Sequence, residues 1–295
     1  MLYFITCSLI WGLTWIAIKF QFHSADSNVA VFYRFLCASL ILFFYTWLKR
    51  VKLKFNRSEH ALFIAQGFFM FCLNYLLTYQ ASHLASSALV ALAYTSLIFF
   101  NMFGGYLFLQ IPFDKKVVWG ALLCLCGMGL ISLNELNLAD LRSTSLLGFG
   151  FALLGTISAS AGNLFSLRNR RKKVPIAANN AWGMLYGCAF TLIFCLLTRR
   201  SFSVHDIDSS FVISFLYLTV FGTVISFGAY LKLIEQVGPT KAAFTSVVSP
   251  VIAVIVSFFF EDLNLQLYLL LGVVFCLAGN IIALVPGPVS GRSSS

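Results

Sequence analysis

Aromatic and amide side chains interrupt several strongly apolar runs of the sequence, and their chemistry is that of solute binding. Trp11 and Trp15 are four residues apart, as are Tyr75 and Tyr79, so each pair can share one face of a helix. Amphipathic rings beside amides suit a small zwitterionic or aromatic solute, whose ring and polar ends both need partners. The predicted binding residues are Trp11, Trp15, Asn74, Tyr75, Tyr79, Tyr94, Asn101, Asn163 and Tyr230.

The overall composition shows what kind of element must position these side chains. Hydrophobic residues make up 60% of the 295-residue chain and charged residues only 10%, with a mean hydropathy of +0.89. A soluble domain carries about a quarter charged residues, so the sequence predicts an all-helical integral membrane protein. In that setting Trp and Tyr also anchor helices at the bilayer surface, and amides also bond between helices. Both uses stay open as alternatives to solute binding.

Two basic residues lie in or beside the apolar runs. Arg34 is about five residues into its run, where a buried charge costs roughly 2.5–3.5 kcal/mol, so we expect it to face a partner or a polar cavity. It could anchor a substrate carboxylate, reach the membrane surface, or form an ion pair with Glu261 or Asp26. Lys19, at the outer end of the first run, has the same alternatives, and snorkelling is easier there.

The patterns of familiar enzyme sites are missing from the sequence. The four histidines lie far apart at loops or run ends, and no HExxH, GxSxG or glycine-rich phosphate loop is present. No Asp or Glu lies at mid-depth in any run, so no carboxylate proton relay is marked. We predict no enzyme activity, no cofactor and no metal site. Uniport, exchange and proton coupling stay open.

Ten apolar runs are long enough to cross a bilayer core as helices. Their approximate bounds are 2–20, 29–48, 61–81, 84–108, 117–134, 146–167, 177–198, 210–234, 239–260 and 264–285. With the N-terminus in the cytoplasm, the clusters KRVKLK and RNRRKK and most other basic residues fall in inner loops, which predicts that both termini are cytoplasmic. The first run lacks a cleavage site and is predicted to be a retained helix.

Weak internal similarity divides the ten runs into two sets of five. Residues 75–95 align with 230–250 at an offset of 155, and two glycine pairs align at an offset of 152: Gly120 and Gly127 with Gly272 and Gly279. An odd number of helices per repeat forces the second copy to be inverted in the membrane, an arrangement known in transporters. We predict repeats at 1–134 and 146–285, and we expect 286–295 to be a disordered or added tail.

Several segments resemble the EamA-type members of the drug/metabolite transporter superfamily. They are CSLIWGLTWIAIK near the start, YRF in the second run, and GPTKAAFTSVVSPVIAVIVSFFFEDLNL followed by LLLGVVFCLAGNIIAL. The residues that match the family pattern are Gly238, Pro239, Ala242, Ala243, Pro250, Glu261, Gly272 and Gly279. The resemblance implies a ten-helix membrane transporter, similar to exporters of amino acids and other metabolites.

The first repeat departs from that pattern at two positions. Thr95 stands where the alignment places Pro250, and no acid stands where Glu261 would fall. A proline inside a helix frees a carbonyl and bends the helix, so Pro250 is a predicted hinge. Gly104 and Gly105 are predicted to supply the corresponding bend in the first repeat.

Together these features predict a cell inner-membrane transporter that exports amino acids or similar small metabolites by alternating access. A transporter of another solute class (sugar, nucleoside or drug), a membrane-embedded enzyme acting on lipid or isoprenoid substrates, and an accessory membrane subunit are the alternatives. Its expected partners are a small-molecule substrate and the lipid bilayer, without nucleic acid. We expect it to act as a monomer.

Overall fold

The structure is a computed structural model that describes residues 1–19, 26–85, 87–133, 143–203, 208–249, 251–252 and 267–284. All regular elements in these ranges are helical, which confirms the predicted all-helical class. The helices are α1 Leu2–Lys19, α2 Ser27–Leu48, α3 Arg57–Gln66, α4 Asn74–Leu84, α5 Ser87–Thr95, α6 Leu97–Leu109, α7 Lys115–Leu133, α8 Ser143–Arg171, α9 Ile176–Leu197, α10 Ser209–Thr219, α11 Ser226–Ala242 and α12 Leu267–Leu284.

Many of these helices have the length and composition of membrane-crossing segments. Six stretches in the described ranges meet both criteria, and two shorter apolar helices, Leu2–Thr14 and Leu270–Leu284, accompany them. The six are Ser27–Leu48, Arg57–Leu84, Leu92–Leu109, Leu146–Arg171, Ile176–Leu197 and Ser209–Ala242. Large apolar side chains such as Phe44, Trp119 and Ile213 are more than half exposed on the outside of the bundle, as expected for a surface that faces lipid.

Polar and glycine residues set where several helices begin. The Asp26 carboxylate accepts hydrogen bonds from the first backbone N–H groups of α2, and Asn56 forms a capping box with Glu59 at the start of α3. Gly238 has φ 83°, a left-handed conformation, and so separates the end of α11 proper from a new helical turn that starts at Pro239. The predicted boundary at Gly238–Pro239 is therefore confirmed.

Glycines allow α7 and α12 to pack with their backbones almost in contact. A Cβ atom built on Gly120 would lie 2.5 Å from the Gly279 carbonyl oxygen, and one on Gly127 would lie 2.6 Å from that of Gly272. The contacts run in opposite chain directions, so the two helices are antiparallel. The four glycines are the ones that the sequence aligns between the repeats, and close approach through small residues is typical of helices in membranes.

A second glycine ridge runs along α8. Gly148, Gly155 and Gly162 are spaced seven residues apart and lie against Ala85, Thr78 and Met70, respectively, on the helix pair α3–α4. The order of these contacts makes α8 antiparallel to that pair. These glycines therefore allow α8 to pack closely against the pair.

Two helices contain π-helical segments, in which the backbone hydrogen bonds reach one residue further than in an α-helix. The first π segment, Gly67–Leu73, joins α3 to α4, and the second, Val220–Ile225, joins α10 to α11. At the repeat offset of 155, the second segment corresponds to residues 65–70, which overlap the first. Such segments frequently mark functional sites, because they free carbonyl groups for other partners.

The α7–α12 contact generates a stability prediction. Replacing Gly127 with Ala should destabilise the fold by about 1–3 kcal/mol, because the added methyl group would collide with the Gly272 backbone. Thermal unfolding of the purified protein in detergent measures the effect. Gly129→Ala is the matched control on the same helix, since nothing lies within 4 Å of its Cβ position and Ala favours a helix. Equal melting temperatures for the two variants would contradict this packing.

Candidate solute-binding site

Arg34 is a cation on α2 that lies buried inside the bundle. It is only 5% exposed and lies seven residues after the helix start at Ser27, about 10 Å along the axis. Its Nε donates to Thr223 Oγ1 at 2.6 Å, and its Nη2 donates to the Gly222 carbonyl oxygen at 3.4 Å. No Asp or Glu among the described residues contacts the guanidinium.

Asp26 and Glu261 are the two carboxylates that the sequence offers as ion-pair partners of Arg34. Asp26 pairs with Arg200 at 3.2 Å and also caps α2, so the structure gives its carboxylate other partners. Glu261 lies outside the described residues. Two aromatic rings also lie beside the guanidinium: the Tyr75 and Phe35 ring centroids are 5.9 and 6.0 Å from Cζ. Such rings favour a nearby cation but carry no negative charge.

The second π segment also binds Trp11. The Gly222 carbonyl oxygen that faces Arg34 also accepts a hydrogen bond from Trp11 Nε1 at 3.2 Å. A mid-helix carbonyl can accept two side-chain donors because the π geometry weakens its own helical bond. This segment therefore fixes a cation from α2 and an indole from α1 at one point.

A continuous series of ring contacts crosses the bundle from Tyr230 to Tyr75. In order, it passes through Tyr230, Trp11, Phe227, Phe71, Phe35 and Tyr75, with neighbouring centroids 4.8–5.4 Å apart. The contacts are tilted or edge-to-face, the arrangement that aromatic pairs prefer. Tyr75 and Tyr230 are the two residues that the repeat alignment equates, so the series joins equivalent positions of the two halves. Tyr79 packs against the same aromatic cluster.

At the Tyr230 end, two amides form a buried polar network. Asn163 Nδ2 donates to the Tyr230 hydroxyl at 3.1 Å and lies 3.4 Å from Asn101 Oδ1, while Asn101 Nδ2 donates to the Pro239 carbonyl at 3.0 Å. Asn101 is fully buried and Asn163 is 1% exposed. Asn163 Oδ1 has no hydrogen-bond partner within the described part of the chain, so an acceptor is free here. The structure thus brings three predicted residues, from α6, α8 and α11, together.

Near the Tyr75 end, a second polar group joins α4 to α5. The Tyr94 hydroxyl donates to Asn74 Oδ1 and is also hydrogen-bonded to Thr78 Oγ1, which donates to the Asn74 carbonyl at 2.7 Å. Asn74 and Tyr94, both predicted, are therefore in direct contact. They form a group separate from Asn101, Asn163 and Tyr230.

The other predicted residues have different outcomes. Trp15 and Lys19 belong to α1, but their side chains are outside the described part of the structure, as are Glu261 and Pro250 entirely. Their predicted roles stay predictions.

The predicted bend at Gly104 and Gly105 is not seen. Helix α6 runs unbroken through both residues, and a Cβ on Gly104 would lie 2.6 Å from Leu164 Cδ1, so this glycine serves close packing against α8. The helical ladder of the span is instead interrupted at Ser96, beside Thr95. Thr95 is the residue aligned with Pro250, so the interruption falls close to where the second repeat has its proline.

Sequence reasoning missed Thr78, Thr223 and the Gly222 carbonyl. A threonine inside an apolar helix commonly bonds to its own backbone, and a carbonyl acceptor has no signature in the side-chain sequence. The only available signal was spacing: Thr78 follows Asn74 by four residues and so lies on the same helix face.

Buried polar and aromatic groups inside an apolar helical bundle define the chain as a polytopic membrane protein with an internal polar site. The EamA-like transporter family matches the chain twice, over residues 1–133 and 146–285. The chain therefore belongs to this family and is a membrane transporter, which confirms the resemblance found in the sequence.

Several curated proteins are similar to the chain at low identity. The uncharacterized transporter YoaV of Bacillus subtilis is 25% identical, covering 86% of this chain and 85% of its own length. A probable amino-acid metabolite efflux pump of Escherichia coli K12 is 23% identical over 93% and 91% of the two chains. The uncharacterized inner membrane transporter YedA of the same strain is 25% identical over 84% and 78%.

One solved protein structure has the same fold. It superposes with a TM-score of 0.79 over 96% of both chains, at 15% sequence identity. At that identity the likeness establishes the fold alone.

Proposed function

We propose that this protein exports amino acids or similar small metabolites across the cell inner membrane by alternating access. In this proposal ten helices cross the membrane as two inverted five-helix repeats, 1–134 and 146–285, with both termini in the cytoplasm. The protein acts as a monomer, and the relatives named as an amino-acid metabolite efflux pump and an inner membrane transporter support the substrate class and the location.

The observation that carries the proposal is the buried guanidinium of Arg34. A charge at this depth is costly unless it is compensated, and such residues in membrane proteins commonly mark substrate or ion pathways. Its described partners are neutral oxygens and rings, which supply no negative charge. A solute carboxylate would supply that charge and accept a bidentate hydrogen bond from the planar fork.

The rest of an amino acid has suitable partners along the ring series. Trp11 and Tyr75 present apolar ring faces to the carbon skeleton or to an aromatic side chain. The unpartnered Asn163 Oδ1 would accept a hydrogen bond from a donor at the far end of the solute's side chain. The carboxylate would supply the counter-charge of Arg34, whereas a neutral sugar or nucleoside would leave Arg34 without one.

Inversion of the repeats is supported by the helix packing. The glycines of α7 and α12 contact one another reciprocally and antiparallel, as two copies related by a two-fold axis would do. The overlapping positions of the two π segments add a second equivalence. Inverted repeats let one site be opened in turn by equivalent helices on either side.

Polar contacts close the bundle at the end that we assign to the cytoplasm. Lys241 pairs with Asp114 at 3.5 Å, Arg170 pairs with Glu235, and Arg171 donates to the Leu109 carbonyl at 3.3 Å. Two of these three contacts join the proposed repeats. Partly exposed ion pairs of this kind are individually weak, so they can separate when the inner side opens.

Counterflow in proteoliposomes tests the proposed substrate class. Reconstituted protein should exchange internal unlabelled amino acids for external radiolabelled ones. Arg34→Gln should lower the apparent affinity about 10- to 100-fold, because a charge-assisted hydrogen bond contributes about 1.5–3 kcal/mol. Arg200→Gln is the matched control, since Arg200 is 41% exposed in its side chain and pairs at the surface, and it should behave like the wild type. Exchange of sugars or nucleosides without amino acids would refute the substrate class.

Thiol labelling tests the proposed orientation. Lys52→Cys lies in the loop between α2 and α3, and Ser201→Cys lies in the loop between α9 and α10; both positions are exposed. In intact spheroplasts a membrane-impermeant maleimide should label Ser201→Cys and not Lys52→Cys. Both variants should react once the membrane is permeabilised. The wild type, with exposed Cys126, reports the background. Labelling of Lys52→Cys from outside would refute cytoplasmic termini.

A further inference from the structure

A second group of buried amides lies near the end of α3, the end of α8 and the start of α9, apart from the residues assigned above. Its members are all fully buried: Gln66, Ser166, Asn169, Asn179 and Asn180. Asn169 Nδ2 donates to Asn179 Oδ1 at 2.8 Å, and Asn179 Nδ2 donates to Ser166 Oγ at 3.1 Å. We call this set the amide cluster.

The amide cluster is unusual because several of its polar atoms are unsatisfied. Both amide atoms of Gln66, both of Asn180 and Oδ1 of Asn169 have no hydrogen-bond partner within the described ranges. Together with Asn163 Oδ1, they supply six of the eleven buried side-chain N and O atoms without a hydrogen-bond partner in the described ranges. Buried polar groups are almost always satisfied by protein or by ordered water, so this concentration calls for a ligand.

One contact and the helix spacing indicate that Gln66 and Asn180 are neighbours. A Cβ on Gly183 would lie 3.3 Å from Gln66 Nε2, so Gln66 lies against α9 at that residue. Asn180 precedes Gly183 by three residues and is therefore its neighbour on the helix surface. On the other side, Asn163 and Ser166 are three apart on α8, as are Ser166 and Asn169. Neighbouring polar residues therefore extend from the Tyr230 network to the cluster.

The chemistry of the free atoms identifies the class of ligand. Gln66 and Asn180 each leave an N–H donor and an oxygen acceptor unused, and a metal cation would satisfy only the oxygens. Water both donates and accepts, as do the polar ends of an amino acid. A buried water commonly makes about three hydrogen bonds to groups of this kind.

The cluster lies just inside the closed end of the bundle. Arg170 and Arg171, which follow Asn169 directly, contact Glu235 and the Leu109 carbonyl, and Lys172 Nζ donates to Ser58 Oγ at 2.8 Å. These contacts cover the end of α8 that carries Asn169, on the side that we assign to the cytoplasm.

We propose that the amide cluster is a water-holding station on the cytoplasmic half of the solute path. It keeps this half hydrated while the inner end is closed, and it exchanges water for the solute's polar groups as solute enters. The inference rests on the proposed function, since it assigns a path to the same transport cycle. It adds a place and a ligand that the binding site does not include.

Water itself can be detected without knowing the solute. Met184 is fully buried and lies one turn after Asn180 on α9, so water held by the cluster lies within its reach. X-ray radiolysis, which generates hydroxyl radicals from bound water, should oxidise Met184 in the wild-type protein. If Met184 is oxidised no more than the fully buried Met128 on α7, the proposed water-holding station is refuted, whatever the protein transports.

The double variant Gln66→Leu/Asn180→Leu separates a transport role from a structural one. Removing unsatisfied polar atoms should leave the melting temperature unchanged or raise it. Met184 oxidation should fall to the Met128 level, and amino-acid exchange should slow at least tenfold with an unchanged solute affinity. Ser39→Ala removes a single unsatisfied hydroxyl on α2, outside the cluster, and should exchange at the wild-type rate.

Each remaining outcome has a defined meaning. Wild-type exchange rates in the stable double variant would overturn the path assignment while leaving the proposed function intact. Loss of both stability and exchange would show that the amide cluster has a structural role, and this result would also overturn the path assignment. A wild type that exchanges no amino acid but shows oxidised Met184 would refute the substrate class and support the hydrated station.

Discussion

The structure depends on accommodating one cation, Arg34, within an apolar helical bundle. The guanidinium cannot be left without acceptors at that depth, and α-helices normally consume their own carbonyls. The second π segment provides an acceptor at Gly222, and Thr223 provides another beside it. The same carbonyl fixes Trp11, so compensation of the charge also positions the indole next to Tyr230 in the ring series. An irregular helix is thus what allows a polar site to exist here.

The two halves of the chain use equivalent positions in different ways. Both contain a π segment in the helix pair that carries Tyr75 or Tyr230. In the second half the freed carbonyl receives Arg34 and Trp11, whereas in the first half the Phe69 carbonyl receives Ser158 Oγ at 2.7 Å. Asn163 bonds to Tyr230, while Arg34 lies over Tyr75. Corresponding positions of the two halves therefore carry different polar groups.

The sequence was sufficient to predict features that depend on run length and on small residues. The helix start at Pro239 and the equivalence of the glycines of α7 and α12 follow from local chemistry and from internal similarity. It was not sufficient for Thr223 or Gln66, because their significance depends on which helix faces them. The role of Gly104 was open for a related reason: a glycine serves bending and close packing equally well, and in the structure the helix is unbroken there and Leu164 lies against it. The π segments have no local signature at all.

The central claim is that Arg34 binds the carboxylate of the solute, and equilibrium binding tests it most directly. Thermal shifts would be measured for an amino acid and for the amine formed by its decarboxylation, on the wild type and on Arg34→Gln. Binding to the folded state alone raises the melting temperature, and at a fixed ligand concentration the rise grows with the logarithm of the affinity. The account predicts that the wild type is stabilised by the amino acid and much less by the amine, and that Arg34→Gln responds equally weakly to both. A variant that still preferred the amino acid by the wild-type margin would contradict it.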